Sequence, residues 1–159
     1  MKTVLFPGRF QPFHNAHFRI LKSLLKRFDR VIVVVGSSNL KDADNPFGSI
    51  QRKKMIWACL SQRQRKKTSF AFVRFASDAT WVRELLKKVS RKRFDVVFSN
   101  NPRVQKQLCL HATPVISSPL FSRNRLEGKR IRNWPEDWEQ DVPKPVARYL
   151  MTLLGKRRP

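Results

Sequence analysis

Acidic residues are scarce in this chain: its 159 residues hold 11 Asp and Glu against 34 Lys and Arg, a formal charge of +23 at pH 7. A field of that sign draws anions of every kind, from nucleotides to nucleic acid to acidic membrane surfaces, and selects none of them. Cysteine is short as well. Cys59 and Cys109 make no disulfide framework and suit a reducing interior. No apolar run approaches the ~18 residues of a membrane span, and the segment after Met1 is too short and mixed for a signal peptide. A cytoplasmic protein without membrane attachment is expected. Internal repeats, low-complexity segments and any sign of a second domain are also lacking, so residues 1–159 are expected to form one domain with a basic tail at 155–159.

What the chain does have is apolar: 41% hydrophobic residues and 12 Phe are enough for a sizeable core. Residues 4–6 suit a short buried strand that Pro7-Gly8 breaks, and from about Ala16 the residues Phe18, Leu21, Leu24, Leu25 and Phe28 recur at helical spacing. The run Val31-Ile32-Val33-Val34-Val35 reads as a strand covered on both faces. Helices are predicted over 49–62, around Val82, Leu85, Leu86 and Val89 for about three turns, over 104–110 and over 143–154; strands over 70–75, 95–99 and 114–117. This alternation predicts an α/β fold, a Rossmann-like doubly wound parallel sheet of about five strands with helices on both faces. In such a sheet ligands bind beyond the carboxyl ends of the strands, where the loops at 7–14, 36–47 and 99–102 should converge.

Two of the chain's three histidines, His14 and His17, lie at the first strand-to-helix junction. Histidines at i and i+3 share a helical face, and a helix start offers free N–H groups and a positive dipole end, so this pair suits an anion such as a phosphate chain. A helix cap plus a packed ring fits the same spacing. A metal site would need Cys59, Cys109 or a carboxylate as a further ligand, and neither cysteine has ligand-like spacing.

The residues around the pair carry a family resemblance. Gly8-Arg9-Phe10-Gln11-Pro12-Phe13-His14-Asn15-Ala16-His17 resembles the GRFQPFHxGH signature of the archaeal-type nicotinamide mononucleotide adenylyltransferases, members of the HxGH nucleotidyltransferase superfamily, with Ala16 in place of Gly. Further similar segments follow in the family's order. They are Gly36-Ser37-Ser38, Asp44-Asn45-Pro46-Phe47 with Arg52, Thr80-Trp81-Val82, Ser99-Asn100-Asn101-Pro102, and Trp138 with Val142-Pro143-Lys144-Pro145-Val146. The family's S-x-T-x-x-R phosphate motif falls on Glu127 to Arg132, where Gly128, Ile131 and Arg132 match but Glu127 stands for Ser and Lys129 for Thr.

The resemblance implies transfer of AMP from ATP to nicotinamide mononucleotide (NMN), giving NAD and pyrophosphate with Mg²⁺. It implies ATP contacts from Gly8, Arg9, Phe10, His14, His17, Lys129 and Arg132, with His14, His17 and Arg132 acting on the transferred group. NMN contacts would come from Trp81, Asn45, Phe47 and Asn101, with Asp44 a weaker candidate, and no direct protein ligand for the metal is assigned. A homo-oligomer is expected. Trp81 suits stacking on a cationic ring and equally suits a core position. Two alternatives stay open: a related adenylyl- or cytidylyltransferase with another acceptor, such as flavin mononucleotide or phosphopantetheine, and a catalytically degenerate basic nucleic-acid-binding protein. Weak, salt-sensitive nucleic-acid binding is expected from the charge in either case.

Overall fold

The computed structural model describes residues 1–75, 77, 80–90, 93–119 and 128–155. Strands β1 (Thr3–Gly8), β2 (Arg30–Val35), β3 (Thr68–Phe72), β4 (Val96–Phe98) and β5 (Val115–Ile116) form one sheet in the order β3-β2-β1-β4-β5. All four pairings are parallel. Helices α1 (Asn15–Arg27), α2 (Ser49–Ala58), α3 (Gln62–Lys66), α4 (Trp81–Lys88), α5 (Pro102–Leu110), α6 (Gly128–Arg132) and α7 (Lys144–Leu154) complete it, with a 3-10 turn over Trp138–Asp141. The doubly wound parallel sheet predicted from the sequence is the fold observed.

Strand alternation sorts the core into two layers. Val4, Phe6, Val31 and Val33 pack with Leu21, Leu24, Met55, Ile56, Val146 and Leu150, so α1, α2 and α7 cover one face. Leu5 and Val34 pack with Val82, Leu85 and Leu108, so α4 and α5 cover the other. Winding reverses between β1 and β4, and the crevice outside their carboxyl ends is where a doubly wound sheet binds ligand.

Several boundaries differ from the predicted ones for local reasons. Pro7 and Gly8 extend β1 instead of breaking it. The Gly8 carbonyl accepts the Gly36 N–H on the β2 side, so Pro7 faces β4, with which pairing ends at Leu5, and its missing N–H costs no ladder bond. The helix predicted over 49–62 is two helices. Ser61 caps α3, its Oγ accepting the Gln64 N–H at 3.4 Å while Gln64 Oε1 accepts the Ser61 N–H at 2.9 Å, and this capping box restarts the chain after buried Leu60. β3 ends at Phe72 instead of running to 75, and α4 spans only the 8 residues Trp81–Lys88, with Val89 as its C-cap.

Candidate active site

The loop from β1 into α1 is shaped by Phe10, which adopts a left-handed backbone conformation (φ 54°) and is 1% exposed. Its ring folds back over Gly8, where an added Cβ would come within 2.7 Å of ring carbons. Glycine is therefore needed there. The Phe10 ring meets His17 edge-on at 5.0 Å, and Phe13 stacks on His17 at 5.8 Å, so His17 rests on a bed of core phenylalanines. Gln11 fastens the loop to the segment before α2: its Nε2 donates to the Phe47 carbonyl at 2.9 Å and its Oε1 accepts the Phe47 N–H at 3.1 Å.

A second fastening is a buried guanidinium. Arg52, 0% exposed, donates through Nη1 to the carbonyls of Arg9 and Gly36 at 2.7 Å each and through Nη2 to Ser37 at 3.1 Å. No carboxylate pairs with it among the described residues. Burial, and then the neighbouring Arg9, bring its pKa down to about 10, so it remains a cation at neutral pH. Arg52 thus joins the loop after β1 to the loop after β2, and its charge sits directly beneath both. Ser37, like Phe10, is held at positive φ (50°), and both unusual conformations adjoin carbonyls that Arg52 binds.

His14 is the N-cap of α1, and its backbone N–H donates to His17 Nδ1 at 3.4 Å. That contact leaves the proton of neutral His17 on Nε2. The two rings stack with centroids 3.6 Å apart. Burial pushes the His14 pKa down to about 4, partly offset by the charge of Asp141, and burial followed by the proximity of His14 holds His17 well below its ordinary value. Both rings are therefore uncharged at pH 7. His14 Nδ1 is buried without a partner, as expected of a group whose partner is a ligand.

Helix α6 approaches from the other side. Gly128 lies so close to the Gln11 carbonyl that a Cβ would be 2.9 Å from it, and Arg132 Nη1 donates to the same oxygen at 3.0 Å. Arg132 Nη2 also reaches Asp44 Oδ1 at 3.3 Å, while Arg130 binds Asp137 at 3.0 Å and buried Asp141. Asn15 Nδ2 donates to the Gln140 carbonyl at 2.7 Å, tying the start of α1 to this segment. Lys129 is exposed on α6; Glu127 lies outside the described residues.

Between the strand ends is an open pocket of about 500 Å³, walled by Gly8, Arg9, Gly36, Trp81, Ser99 and Asn101 among others. Trp81 is half-buried at the start of α4, its Nε1 3.6 Å from where a Cβ on Gly36 would stand. Asn101 caps α5, its Oδ1 accepting the Arg103 N–H at 3.0 Å. The structure thus gathers Gly8, Arg9, Trp81 and Asn101 around the pocket, His14 and His17 at the start of α1, and Arg132 on the loop before it. Phe47 and Asn45 line neither. Phe47 is buried against Gln11, and Asn45 donates its backbone and side-chain N–H to Asp42 Oδ1, leaving its own Oδ1 buried and unpaired.

Comparison with known proteins places the chain in a family. Residues 5–124 match the cytidylyltransferase-like family model. The chain is 34% identical over 164 residues to the nicotinamide-nucleotide adenylyltransferase of Sulfurisphaera tokodaii, covering 97% of this chain and 93% of that protein. It is 31% identical over 162 residues to nicotinamide-nucleotide adenylyltransferase 1 of Sulfolobus acidocaldarius, covering 97% and 91%. The chain belongs to the nicotinamide-nucleotide adenylyltransferase family. It is an enzyme of the nucleotidyltransferase class.

Solved structures share its fold. A bifunctional NMN adenylyltransferase/ADP-ribose pyrophosphatase of Francisella tularensis, solved with AMP and a manganese ion, superposes with a TM-score of 0.72 at 16% identity over 98% of this chain. This chain spans 50% of that longer protein. A putative nicotinate-nucleotide adenylyltransferase of Vibrio parahaemolyticus superposes with a TM-score of 0.59 at 15% identity, covering 94% of this chain and 99% of that one. Gln11, Arg52 and Asp141 hold the loops and α6 together around the candidate site residues, and the sequence alone assigned none of them that part. Arg52 stood in a matching segment, but a cation in mid-helix ordinarily signals solvent, and nothing local marks its three carbonyl acceptors.

Proposed function

We propose that this chain transfers AMP from ATP to nicotinamide mononucleotide. The NMN phosphate oxygen attacks the α-phosphorus, a new P–O bond forms, the bond from the α-phosphorus to the bridging oxygen breaks, and pyrophosphate leaves. The observation that carries this reading is the stacked, uncharged pair His14 and His17 at the helix start, with Arg132 on the Gln11 carbonyl of the loop that leads into it. Neutral imidazoles in fixed orientation donate hydrogen bonds to phosphate oxygens and gain strength as charge builds on them, at no cost of reorganisation. His17 Nε2–H serves as such a donor, and the unpaired His14 Nδ1 can bind a second oxygen or its proton.

Arg132, Lys129 and Arg9 neutralise the triphosphate, and the bare backbone at Gly8 lets it come close. Trp81 offers its ring to the nicotinamide from the pocket wall, with Asn101 nearby. Asn45 and Phe47 contribute at one remove, through the loop that Gln11 grips. Among the described residues no three His, Cys, Asp or Glu gather into a metal cage. The donors present therefore suit Mg²⁺ carried on the phosphates, where it would offset their charge. The free cysteines Cys59 and Cys109 support a cytoplasmic setting. No helix among the described residues is long and apolar enough to cross a membrane.

The test is direct: incubate the protein with ATP, Mg²⁺ and a panel of nicotinamide, nicotinate and flavin mononucleotides and phosphopantetheine. NAD and pyrophosphate are expected with nicotinamide mononucleotide. Product with another acceptor alone would move the substrate, and no pyrophosphate with any acceptor would refute the activity.

A further inference from the structure

Between Asp44 and Asp78 the chain has no acidic residue and eight Lys or Arg. This stretch folds into α2, α3 and β3, and β3 is one of the sheet's two edge strands. Only Arg52 of the eight is fully buried in the site already described. On the outside, contacts run in sequence: Lys53 lies over the Phe70 ring at 5.5 Å, Phe70 meets Trp57 at 5.7 Å, and Arg65 covers Trp57 at 5.4 Å. Lys67 then donates to the Leu25 carbonyl at 3.0 Å, which brings in the last turn of α1 with Lys26 and Arg27.

Basic residues in a last helical turn complement the helix dipole, and this accounts for Lys26 and Arg27 and for the cations of α3. It does not account for Lys53 and Lys54, because the last turn of α2 holds no basic residue. The surface also offers charge without an apolar centre. Trp57 and Phe70 are half-buried with a cation over each ring, which suits neither insertion into a membrane nor the dry centre of a protein interface. Lys and Arg drawn from a stretch without acidic residues fit an evenly charged polyanion. α3 and the start of β3 lie at the amino end of the parallel strands, opposite the carboxyl ends that hold the nucleotide pocket.

We propose that the α2–α3–β3 face is a nucleic-acid-binding surface that grips the phosphodiester backbone without reading sequence. The experiment is fluorescence anisotropy of a labelled 20-nucleotide poly-U RNA with the full chain between 50 and 300 mM KCl. Binding at about 10⁻⁶ M at the lowest salt, with a steep loss as salt rises, is expected. The triple change Lys54→Glu, Arg63→Glu, Lys66→Glu, at exposed positions, should weaken binding at least tenfold. It should also flatten the slope of log K on log salt by about 2, as loss of three contacts on a single strand requires. The same charge change at exposed Lys88, Lys106 and Lys144 should cost less than about threefold, and both triples should keep NAD synthesis. Equal losses from the two triples would reduce the effect to net charge and overturn the assignment. So would absence of binding at 50 mM KCl. Tighter retention on phosphatidylserine vesicles than on RNA, released by the first triple alone, would assign the face to membranes instead.

Discussion

At the start of α1 stand two stacked, uncharged rings, that of His17 laid on phenylalanines, whereas α6 presents the Arg130 and Arg132 guanidinium groups, paired with acids, and the exposed Lys129. Both converge on Gln11, whose carbonyl touches Gly128 and Arg132 while its side chain clasps Phe47. In the proposed reaction these are two ways of receiving the same anion. The α1 side works by desolvation and fixed direction, so its hydrogen bonds are strong, short in range and indifferent to salt. The α6 side works by charge that is partly open to solvent, so it attracts at a distance and is screened. One end is suited to the transition state and the other to capture.

The largest effect should come from the α1 side. His17→Ala is expected to lower turnover by about 10² or more while moving the Michaelis constant for ATP little, because its donor matters most where charge develops. Its ring contacts with Phe10, Phe13 and His14 make a melting curve the necessary control. Normal turnover in a destabilised protein would assign the ring to packing. On the α6 side, Arg132→Ala removes a charge-assisted bond of about 1.5–3 kcal/mol and should weaken ATP binding by about 10- to 100-fold with a smaller change in turnover. Reversal of these two patterns would break the division between chemistry and capture.

Stability against pH tests the desolvated rings without any substrate. His14 titrates at about 4 when folded, against an ordinary value near 6.5, so below pH 6.5 the unfolded chain takes up the proton first. Its contribution is full above pH 6.5 and is lost as pH falls towards 4. Between pH 6.5 and 5 the loss is about 2 kcal/mol, at 1.36 kcal/mol per unit. Urea midpoints in wild type and His14→Ala would read it: the wild type should lose more over that interval, and equal slopes would refute a buried neutral His14.

The alternation of strands and helices, and the place of the histidine pair at the first strand-to-helix junction, were legible from the sequence because both rest on short-range signals: β-branched runs, helical spacing and a ten-residue motif. What was not legible depends on partners distant in the chain. Pro7 reads as a breaker unless the end of β4 pairing at Leu5 is known. Arg52 reads as solvated until three loop carbonyls close around it. Asn45 and Phe47 belong to a matching segment, yet motif membership does not say whether a side chain meets the ligand or supports the loop that does. Phe10 joined the candidates in the same way, and its ring forms the floor under His17.

Trp81 stands apart from both helix starts, which makes it a probe of the acceptor alone. Stacking on a cationic ring contributes about 0.5–2 kcal/mol, so Trp81→Ala should raise the Michaelis constant for nicotinamide mononucleotide by about 2- to 30-fold and leave that for ATP unchanged. Because Trp81 also packs against Gly36, a lowered melting temperature with both constants raised equally would return it to a purely structural role.

The smallest effect is expected at Lys129, where the family pattern has threonine. Lys129 is exposed, so its ammonium remains hydrated and its pull on a triphosphate is that of a surface charge. Such a charge is worth no more than about fivefold in affinity at low ionic strength, and a threonine hydroxyl in its place would still offer a donor. Lys129→Thr should therefore change ATP affinity by less than about fivefold at 50 mM salt, and the difference should vanish at 0.5 M, where charges further apart than about 5 Å are screened. The loss in His17→Ala should persist at the same salt, because nothing there depends on an exposed charge. If Lys129→Thr instead cost more than tenfold at high salt, the ammonium would have to be desolvated against the phosphates. The two helix starts would then receive the anion by the same means.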